Sequence, residues 1–289
     1  ILYTVMFKED EMEKYGSGHP PEEITSRANP RIKAAAALLK SNERKKTGRF
    51  LTEGARLCGD AVKSGVTVEE FFSTDGAKEK YSDVFALVSG AAKRTFIISP
   101  DVAEKLSDTR STQEMFCVCP DSASLTESDI KADGFYVMTE NVQNPDNLGA
   151  VVRSAEALGA DGLIVFSGCD IRSPKALRAS MGGLLRFPVI KTSDCASLIE
   201  RAKKNGMKIF ATVASGDAAD ISKADKSGGC IGIIGNEGAG ISAETLALCT
   251  HKITIPMLGK AESLNAAAAA AITVWEFMKE RGKKANVAN

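Results

Sequence analysis

The sequence lacks the motifs that mark several common enzyme classes. It contains two histidines and no HExxH motif, so a catalytic zinc ion held by the protein is not expected. No GxGxxG motif follows a predicted strand, and no P-loop motif occurs, which argues against the usual dinucleotide-binding fold and against P-loop nucleotidases. The seven cysteines form no CxxC pair and lie mostly in apolar runs, a pattern that favours reduced core thiols over disulfides or a zinc site.

Charge and hydropathy narrow the choice of partners. The 37 Lys and Arg residues balance the 37 Asp and Glu residues, so a nucleic acid would have to bind through local basic patches. No apolar stretch is long enough to span a membrane, and no membrane partner is expected. Residues 1–23 have no basic start followed by an apolar block, so they are not typical of an export signal. We expect them to form a flexible leader of a cytoplasmic protein.

The first half of the chain predicts a small α/β domain over residues 24–120. Helices are expected from about Pro30 to Lys45 and from about Ala55 to Lys63, between strands at RFLTEG, VEEFFS, TFIIS and MFCVCP. Residues 22–58 hold nine basic against four acidic side chains, whereas residues 59–133 hold eight against fourteen. This segregation predicts one basic face, although a charge run is more usually a solvated helix.

The second half predicts a separate domain over residues 134–289. The polar, turn-rich segment 121–133 is typical of a linker. After it, apolar strand candidates alternate with amphipathic stretches, which is typical of a mostly parallel sheet with helices on both faces. Ligands bind such sheets beyond the carboxyl ends of the strands. The strand candidates are FYVMTE, DGLIVF, FPVIK, MKIFATV, CIGIIG and HKITIP.

Three motifs at these strand ends place polar side chains among glycine and alanine. Glycines at such positions let backbone groups approach a ligand closely, with no bulky side chain in the way. The motifs therefore mark a candidate pocket. NPDNLGAVVR contains Asn147 and Arg153, IIGNEGAGIS contains Glu237, and ITIPMLGKAESLNAAAAAA contains Ser263 and Asn265.

Each motif also has a plain structural interpretation, which the residues alone leave open. Asn147 and Ser263 are typical helix N-caps, and Gly-Asn-Glu-Gly is typical of a tight turn. Arg153 lies beside the apolar stripe of its helix, where it would form a surface ion pair with Glu156 three residues on.

The three motifs, in this order, resemble the signature motifs of the SpoU (TrmH-type) RNA 2′-O-ribose methyltransferases of the SPOUT superfamily. The intervening SPKALRASMGGLLRFPV also resembles that family. The segment ITSRANPRIKAAAALLKSNERKKTGRFLTEGARL is similar to the family's L30e-like substrate-binding domain. The resemblance covers residues 24–282 and departs from the family pattern at residues 266–271, where six alanines replace a Val-Ser-Val type run.

The resemblance implies an α/β fold, a cofactor and partners. The C-terminal strands and helix would form a trefoil knot, and the enzyme would use S-adenosylmethionine, work as a homodimer and need no metal. Ribosomal RNA is expected as the substrate, because the L30e-like domain resembles ribosomal-RNA binders. A transfer-RNA methyltransferase, an antibiotic-resistance enzyme acting on ribosomal RNA, and a non-catalytic RNA-binding ribosome assembly factor are the alternatives.

The resemblance also implies roles for individual residues. The resemblance implies that Arg153 assists deprotonation of the hydroxyl. Because arginine is normally too basic to act as a base, the physical expectation is that Arg153 positions a substrate phosphate and stabilises the developing oxyanion, and that Glu237 orients Arg153. The catalytic set is Arg153, Asn147, Glu237, Ser263 and Asn265, and the cofactor-binding set, acting largely through backbone atoms, is Gly235, Asn236, Ile255, Leu264 and Met257. The RNA-binding candidates are Arg27, Arg31, Lys33, Arg44, Lys46 and Arg49 in the first domain and Arg172, Lys175 and Arg178 in the second, with Lys45 and Arg186 beside them.

Overall fold

The structure is a computed structural model that describes residues 20–109, 111–121, 125–214 and 217–287. For residues 280 and 282–287 it describes the backbone alone. Residues 1–19 of the expected leader therefore lie outside the described residues. The chain divides into two compact units. Unit 1 comprises Ile1–Ser122 and Arg172–Pro174, and unit 2 comprises Ala123–Ile171 and Lys175–Asn289.

The described residues of unit 1 form a five-stranded mixed sheet in the order β1-β4-β3-β5-β2, with helices packed on it. Strand β1 pairs in parallel with β4, so regular structure begins within the segment expected to be a leader. The core contains the stacked rings of Phe72 and Phe96, whose centroids lie 5.1 Å apart. The strands are β1 (Glu22–Ile24), β2 (Arg49–Glu53), β3 (Glu70–Ser73), β4 (Arg94–Ile98) and β5 (Met115–Pro120); the helices are α1 (Pro30–Ala37), α2 (Ser41–Thr47), α3 (Ala55–Lys63), α4 (Asp75–Lys80), α5 (Ser82–Ala91) and α6 (Pro100–Leu106).

The prediction of one helix from Pro30 to Lys45 is wrong, because α1 and α2 are separate helices. Lys40 is extended, with ψ of 134°, and the chain turns there before α2 begins. The buried side chain of Arg44 donates from Nη1 to the carbonyl oxygens of Leu38, at 2.7 Å, and Leu39, at 2.9 Å. These bonds satisfy carbonyl groups that the end of α1 would otherwise leave unpaired.

The described residues of unit 2 form a seven-stranded sheet in the order β10-β12-β9-β11-β6-β7-β8, and all of its pairings are parallel. The predicted parallel sheet is confirmed, and the two-residue strand β10 is an addition to it. The trefoil knot stays a prediction. The strands are β6 (Phe135–Glu140), β7 (Gly162–Phe166), β8 (Val189–Thr192), β9 (Lys208–Thr212), β10 (Ala219–Asp220), β11 (Cys230–Ile234) and β12 (His251–Thr254); the helices are α7 (Pro145–Ala157), α8 (Pro174–Ala179), α9 (Gly183–Arg186), α10 (Cys195–Lys204), α11 (Ala243–Leu248) and α12 (Ala266–Val287).

The strand order determines which loops meet. Strands β12, β9, β11 and β6 are neighbours in the sheet, and in a parallel sheet their carboxyl ends lie at one edge. The segments that follow these four strands are therefore brought together, although they come from distant parts of the sequence. No described helix is long and apolar enough to cross a membrane.

Aromatic packing holds the last helix, α12, against the sheet. The side chain of Phe277 is fully buried, stacks on Phe135 with centroids 4.8 Å apart, and meets Phe210 edge-on at 4.9 Å. Such pairs contribute about 0.5–1.5 kcal/mol beyond the area that they bury.

We expect Phe277→Ala to lower the free energy of unfolding by about 3–5 kcal/mol, because it removes a large buried ring that its neighbours cannot fully replace. Urea denaturation monitored by circular dichroism measures the loss. The control is Lys279→Ala on the same helix, whose partly exposed ion pair with Glu276 is worth less than about 1 kcal/mol. Equal losses in both variants would contradict this account of how α12 is held.

Candidate active site

The loops after β9, β11 and β12 line one cavity of about 440 Å³ in unit 2. All five residues predicted to bind the cofactor lie on its wall, together with Glu237 and Ser263, while their role in binding stays a prediction. Among the described residues, no cluster of His, Cys, Asp and Glu is arranged to hold a metal ion. The five predicted residues on the wall are Gly235, Asn236, Ile255, Met257 and Leu264.

The cavity wall also includes residues outside the three motifs. Thr212 and Val213 come from the end of β9, and Leu246 comes from α11, whereas Ile241 on the same wall belongs to the motif IIGNEGAGIS. No motif marks Thr212, Val213 or Leu246. The signal that would have identified Thr212 and Val213 is the position of β9 between β11 and β12, and this strand order is not readable from apolar periodicity.

Gly235 permits the close crossing of two backbone segments beside the cavity. A Cβ atom at this position would lie 2.3 Å from the carbonyl carbon of Gly240 and 2.4 Å from the nitrogen of Ile241. The turn is closed by hydrogen bonds between Asn236 and Gly240, N to O in both directions, at 2.9 and 3.0 Å. Gly-Asn-Glu-Gly is therefore a tight turn as well as part of the cavity wall.

The side chain of Asn236 holds this turn together. Its Oδ1 accepts hydrogen bonds from the backbone nitrogens of Gly238 and Ala239, both at 2.9 Å. Its Nδ2 donates to the carbonyl oxygen of Asn141, just beyond β6, at 2.8 Å. Asn236 thus fixes the loop after β11 to the loop after β6.

A chain of hydrogen bonds connects one side chain from each of the three motifs. Asn265 Nδ2 donates to Asn147 Oδ1 at 2.9 Å, and Asn147 Nδ2 donates to Glu237 Oε1 at 2.9 Å. The carboxylate of Glu237 also accepts from the backbone nitrogens of Asn144, at 3.0 Å, and Gln143, at 3.2 Å. The predicted catalytic residues Asn147, Glu237 and Asn265 therefore form one connected unit.

The helix caps differ from the sequence interpretation. The N-cap of α7 is Asn144, whose side chain accepts from the nitrogen of Asp146, so Asn147 lies inside the first turn and is available to Glu237. At the start of α12, Asn265 Oδ1 accepts from the nitrogens of Ala267 and Ala268, and Ser263 lies on the cavity wall. Neither Asn147 nor Ser263 is the N-cap of its helix.

The environment of Glu237 lowers the pKa of its carboxyl group. Partial burial acts to raise this pKa, but the hydrogen bonds from Asn147 and from the backbone nitrogens of Glu237, Asn144 and Gln143 outweigh it. Donors that bond the carboxylate stabilise the charged form. Glu237 is consequently an ionised acceptor that ties two loops together.

Arg153 stands apart from this unit. Its side chain is exposed and makes no hydrogen bond or ion pair with any described residue. The predicted ion pair with Glu156 is wrong, because Glu156 binds Arg186, with Arg186 Nη2 donating to Glu156 Oε2 at 2.8 Å. The contacts of Glu237 likewise give no support for its orienting Arg153, since its described partners are Gln143, Asn144, Asn147 and Asn236.

Several predicted RNA-binding residues are engaged in ion pairs or buried. Arg172 belongs to unit 1, and its guanidinium lies over the ring of Phe50, 4.8 Å from the ring centroid. Arg178 is half-buried, and the burial of Arg44 favours its capping role over phosphate contact. The ion pairs, with their N–O distances, are Arg27–Asp101 (2.7 Å), Arg31–Glu70 (2.5 Å), Arg49–Glu69 (2.8 Å), Arg172–Asp121 (2.7 Å) and Lys175–Asp146 (2.9 Å).

Four lysines of α1, α2 and their connection differ from these arginines. Their side chains are exposed and form no ion pair with a described residue. They therefore supply positive charge that no described residue of unit 1 neutralises. These residues are Lys33, Lys40, Lys45 and Lys46.

The hydrogen bonds at Glu237 predict that acid weakens the site. Because the pKa of Glu237 is lower in the folded chain than its ordinary value of about 4.3, its stabilising contribution is complete above that value and disappears as the pH falls through the folded-state pKa. We expect the melting temperature of the parent to exceed that of Glu237→Gln at pH 6, and the difference to shrink below pH 4. A difference that stays constant with pH would count against this role.

Comparison with known proteins assigns regions of the chain to families. A family model described as the SpoU rRNA Methylase family matches residues 134–275, and one described as an MRM3-like substrate binding domain matches residues 29–117. The 23S rRNA (guanosine(2553)-2'-O)-methyltransferase RlmP of Bacillus subtilis (strain 168) is 31% identical over 257 residues, which are 89% of this chain and 99% of that protein. The 23S rRNA (uridine(2479)-2'-O)-methyltransferase of Streptomyces viridochromogenes is 32% identical over 267 residues, which are 89% of this chain and 92% of that protein.

Solved structures agree with these matches. The SpoU methyltransferase AviRb from Streptomyces viridochromogenes, in complex with the cofactor AdoMet, has a TM-score of 0.78 at 31% identity and covers 88% of this chain and 98% of its own. The AdoMet-bound rRNA methyltransferase from Sinorhizobium meliloti has a TM-score of 0.79 at 26% identity, and the match covers 90% of this chain and 98% of that protein's chain. With the parallel sheet, the three joined motifs and both matched regions in place, the chain belongs to the SpoU rRNA methylase family.

Proposed function

We propose that this protein transfers a methyl group from S-adenosylmethionine to a ribose 2′-hydroxyl of ribosomal RNA. The observation that carries the proposal is the hydrogen-bonded unit of Asn265, Asn147 and Glu237, which joins the three motifs at the cavity. The names of the two relatives, both 23S rRNA 2′-O-methyltransferases, support the reaction and the substrate class. The AdoMet-bound structural relatives support the cofactor.

The chemistry needs alignment more than a strong acid or base. The 2′-oxygen attacks the methyl carbon, the carbon–sulfur bond breaks, and its electron pair stays on sulfur, so the products are the 2′-O-methyl ribose and S-adenosylhomocysteine. Holding the two reactants in line supplies much of the acceleration. Glu237 is already an acceptor for Asn147 and two backbone nitrogens, so it positions the site, and the hydroxyl proton passes to another base or to water.

Arg153 would act in the site of a second copy of the chain. Asn147 and Arg153 are six residues apart on α7, which places their side chains about 120° apart around the helix axis. Since Asn147 faces Glu237, Arg153 faces away from the cavity of its own chain. A homodimer formed through α7 and the neighbouring helix α12, where Trp275 is 55% exposed, would bring Arg153 to the partner's cavity. There its guanidinium would bind phosphate and stabilise the developing oxyanion.

Arg153→Ala is expected to keep the fold and the affinity for S-adenosylmethionine but to lower turnover at least about 100-fold, the usual loss when a charge-stabilising donor is removed. The Arg153→Ala and Gly235→Val variants can be mixed, partially denatured and refolded together, so that mixed dimers form. Part of the activity should then return, because one of the two sites in a mixed dimer has both an intact cavity and an intact Arg153. Full activity of Arg153→Ala alone would refute its role, and absence of restoration would refute its action across a dimer.

Unit 1 would bind RNA through the lysines that form no ion pair with a described residue. Replacing Lys33, Lys45 and Lys46 by Gln is expected to raise KM for RNA while kcat stays the same. The slope of log binding constant against log salt concentration should become shallower by the contribution of roughly three phosphate contacts. Filter binding at several salt concentrations measures the slope. The matched control replaces Arg27 and Arg49, which are already ion-paired, and a larger effect there would contradict the assignment.

The free thiols fit a cytoplasmic location, which we include in the proposal. All seven cysteines are free, and five of them are buried, as expected of a protein that stays reduced.

Transfer of a labelled methyl group to total RNA tests the function. We expect label in large-subunit ribosomal RNA at one 2′-oxygen, located by resistance to alkaline cleavage. Label in transfer RNA would instead identify a transfer-RNA methyltransferase. Binding of S-adenosylmethionine without transfer to any RNA would favour a ribosome assembly factor.

A further inference from the structure

The side chain of Glu140, at the end of β6, is a buried carboxylate that the three motifs do not include. It is 5% exposed, and its oxygens accept hydrogen bonds from Thr245 Oγ1 at 2.9 Å and from the backbone nitrogen of Ser242 at 3.3 Å. Among the described residues, no Lys, Arg or His forms an ion pair with it. The buried carboxyl group is therefore met by neutral hydrogen-bond donors alone.

Such an arrangement is a poor way to stabilise a fold. Removing a carboxylate from water costs free energy, and hydrogen bonds from neutral groups return only part of it. An apolar side chain of the same size would stabilise the strand end at least as well. The carboxylate is explained better by what its two bonds hold in place.

Both bonds hold one end of the loop between β11 and α11. Ser242 is the N-cap of α11 and Thr245 lies in its first turn, one residue before Leu246 on the cavity wall. The other end of the loop is held by Asn236, whose Nδ2 donates to the carbonyl oxygen of Asn141, the residue after Glu140. Two consecutive residues thus fix both ends of the loop that forms much of the cavity.

We propose that Glu140 is a positioning residue for the methyl donor, since it sets the loop from Gly235 to Ser242 in the conformation that binds S-adenosylmethionine. This inference rests on the proposed function. The side chain of Glu140 is buried and bonds only to the loop and α11 among the described residues, so we expect the role to concern the cofactor.

The variant Glu140→Gln tests this role. A glutamine keeps the size but has one acceptor oxygen where the carboxylate has two, so one of the two donors loses its partner. We expect the Kd values for S-adenosylmethionine and S-adenosylhomocysteine to rise by the same factor, about tenfold, as for a buried donor left unpaired. The KM for RNA should not change. Isothermal titration calorimetry and steady-state kinetics measure these quantities.

Unit 1 provides a matched control in Glu53. This carboxylate is also buried, at 7% exposure, and accepts from Ser107 Oγ and Thr109 Oγ1, both at 2.6 Å, and from the nitrogen of Asp108 at 3.0 Å. Glu53→Gln should lower the stability of its own unit and leave the Kd for the cofactor unchanged. A higher Kd in Glu140→Gln but not in Glu53→Gln would therefore not be explained by a general loss of stability.

The remaining outcomes decide between failure of this inference and failure of the proposed function. If the parent protein binds S-adenosylmethionine and Glu140→Gln, though folded, binds it equally well, the positioning role is refuted. If Glu140→Gln does not fold, Thr245→Val removes the same hydroxyl bond, and an unchanged Kd in that variant refutes the role. If the parent itself does not bind S-adenosylmethionine, the proposed function fails.

Discussion

The arrangement of unit 2 depends on the hydrogen bonds that Asn147 makes to two partners. It receives a bond from Asn265, 118 residues later, and gives one to Glu237, 90 residues later. An amide is suited to this position because one side chain carries both an acceptor and a donor. The ionised state of Glu237 follows from the same contacts, and so does the placement of the loops after β6 and β11.

The parallel sheet provides the frame for these contacts. Its strand order places β9 and β11 between β12 and β6, so loops that are far apart in the sequence share one edge. Two consecutive residues, Glu140 and Asn141, then fix the ends of the glycine-rich loop, and Gly235 lets its backbone segments cross closely. A backbone held by such contacts around an open cavity is the arrangement that binding with little reorganisation requires.

The sequence predicted the elements better than it predicted the contacts. Apolar runs such as CIGIIG predict buried strands, because both faces of a parallel sheet are covered. The sheet confirms them, with β11 at Cys230–Ile234. The break at Lys40 and the partner of Glu156 were not predictable, since each depends on the direction that an arginine side chain takes in the folded chain, Arg44 for the first and Arg186 for the second. Glu140 lies outside the three motifs, and its role could be inferred only once the structure placed Thr245 within hydrogen-bond distance of it.

The cavity draws on residues that are far apart along the chain. Its wall includes residues from the end of β9 to Ala269 in α12, and α12 is held by the ring of Phe277. During synthesis the site therefore cannot exist until the chain as far as Phe277 has left the ribosome. Because a ligand that binds only the folded state stabilises it, the small molecule in this cavity would favour the completed unit over every shorter nascent form.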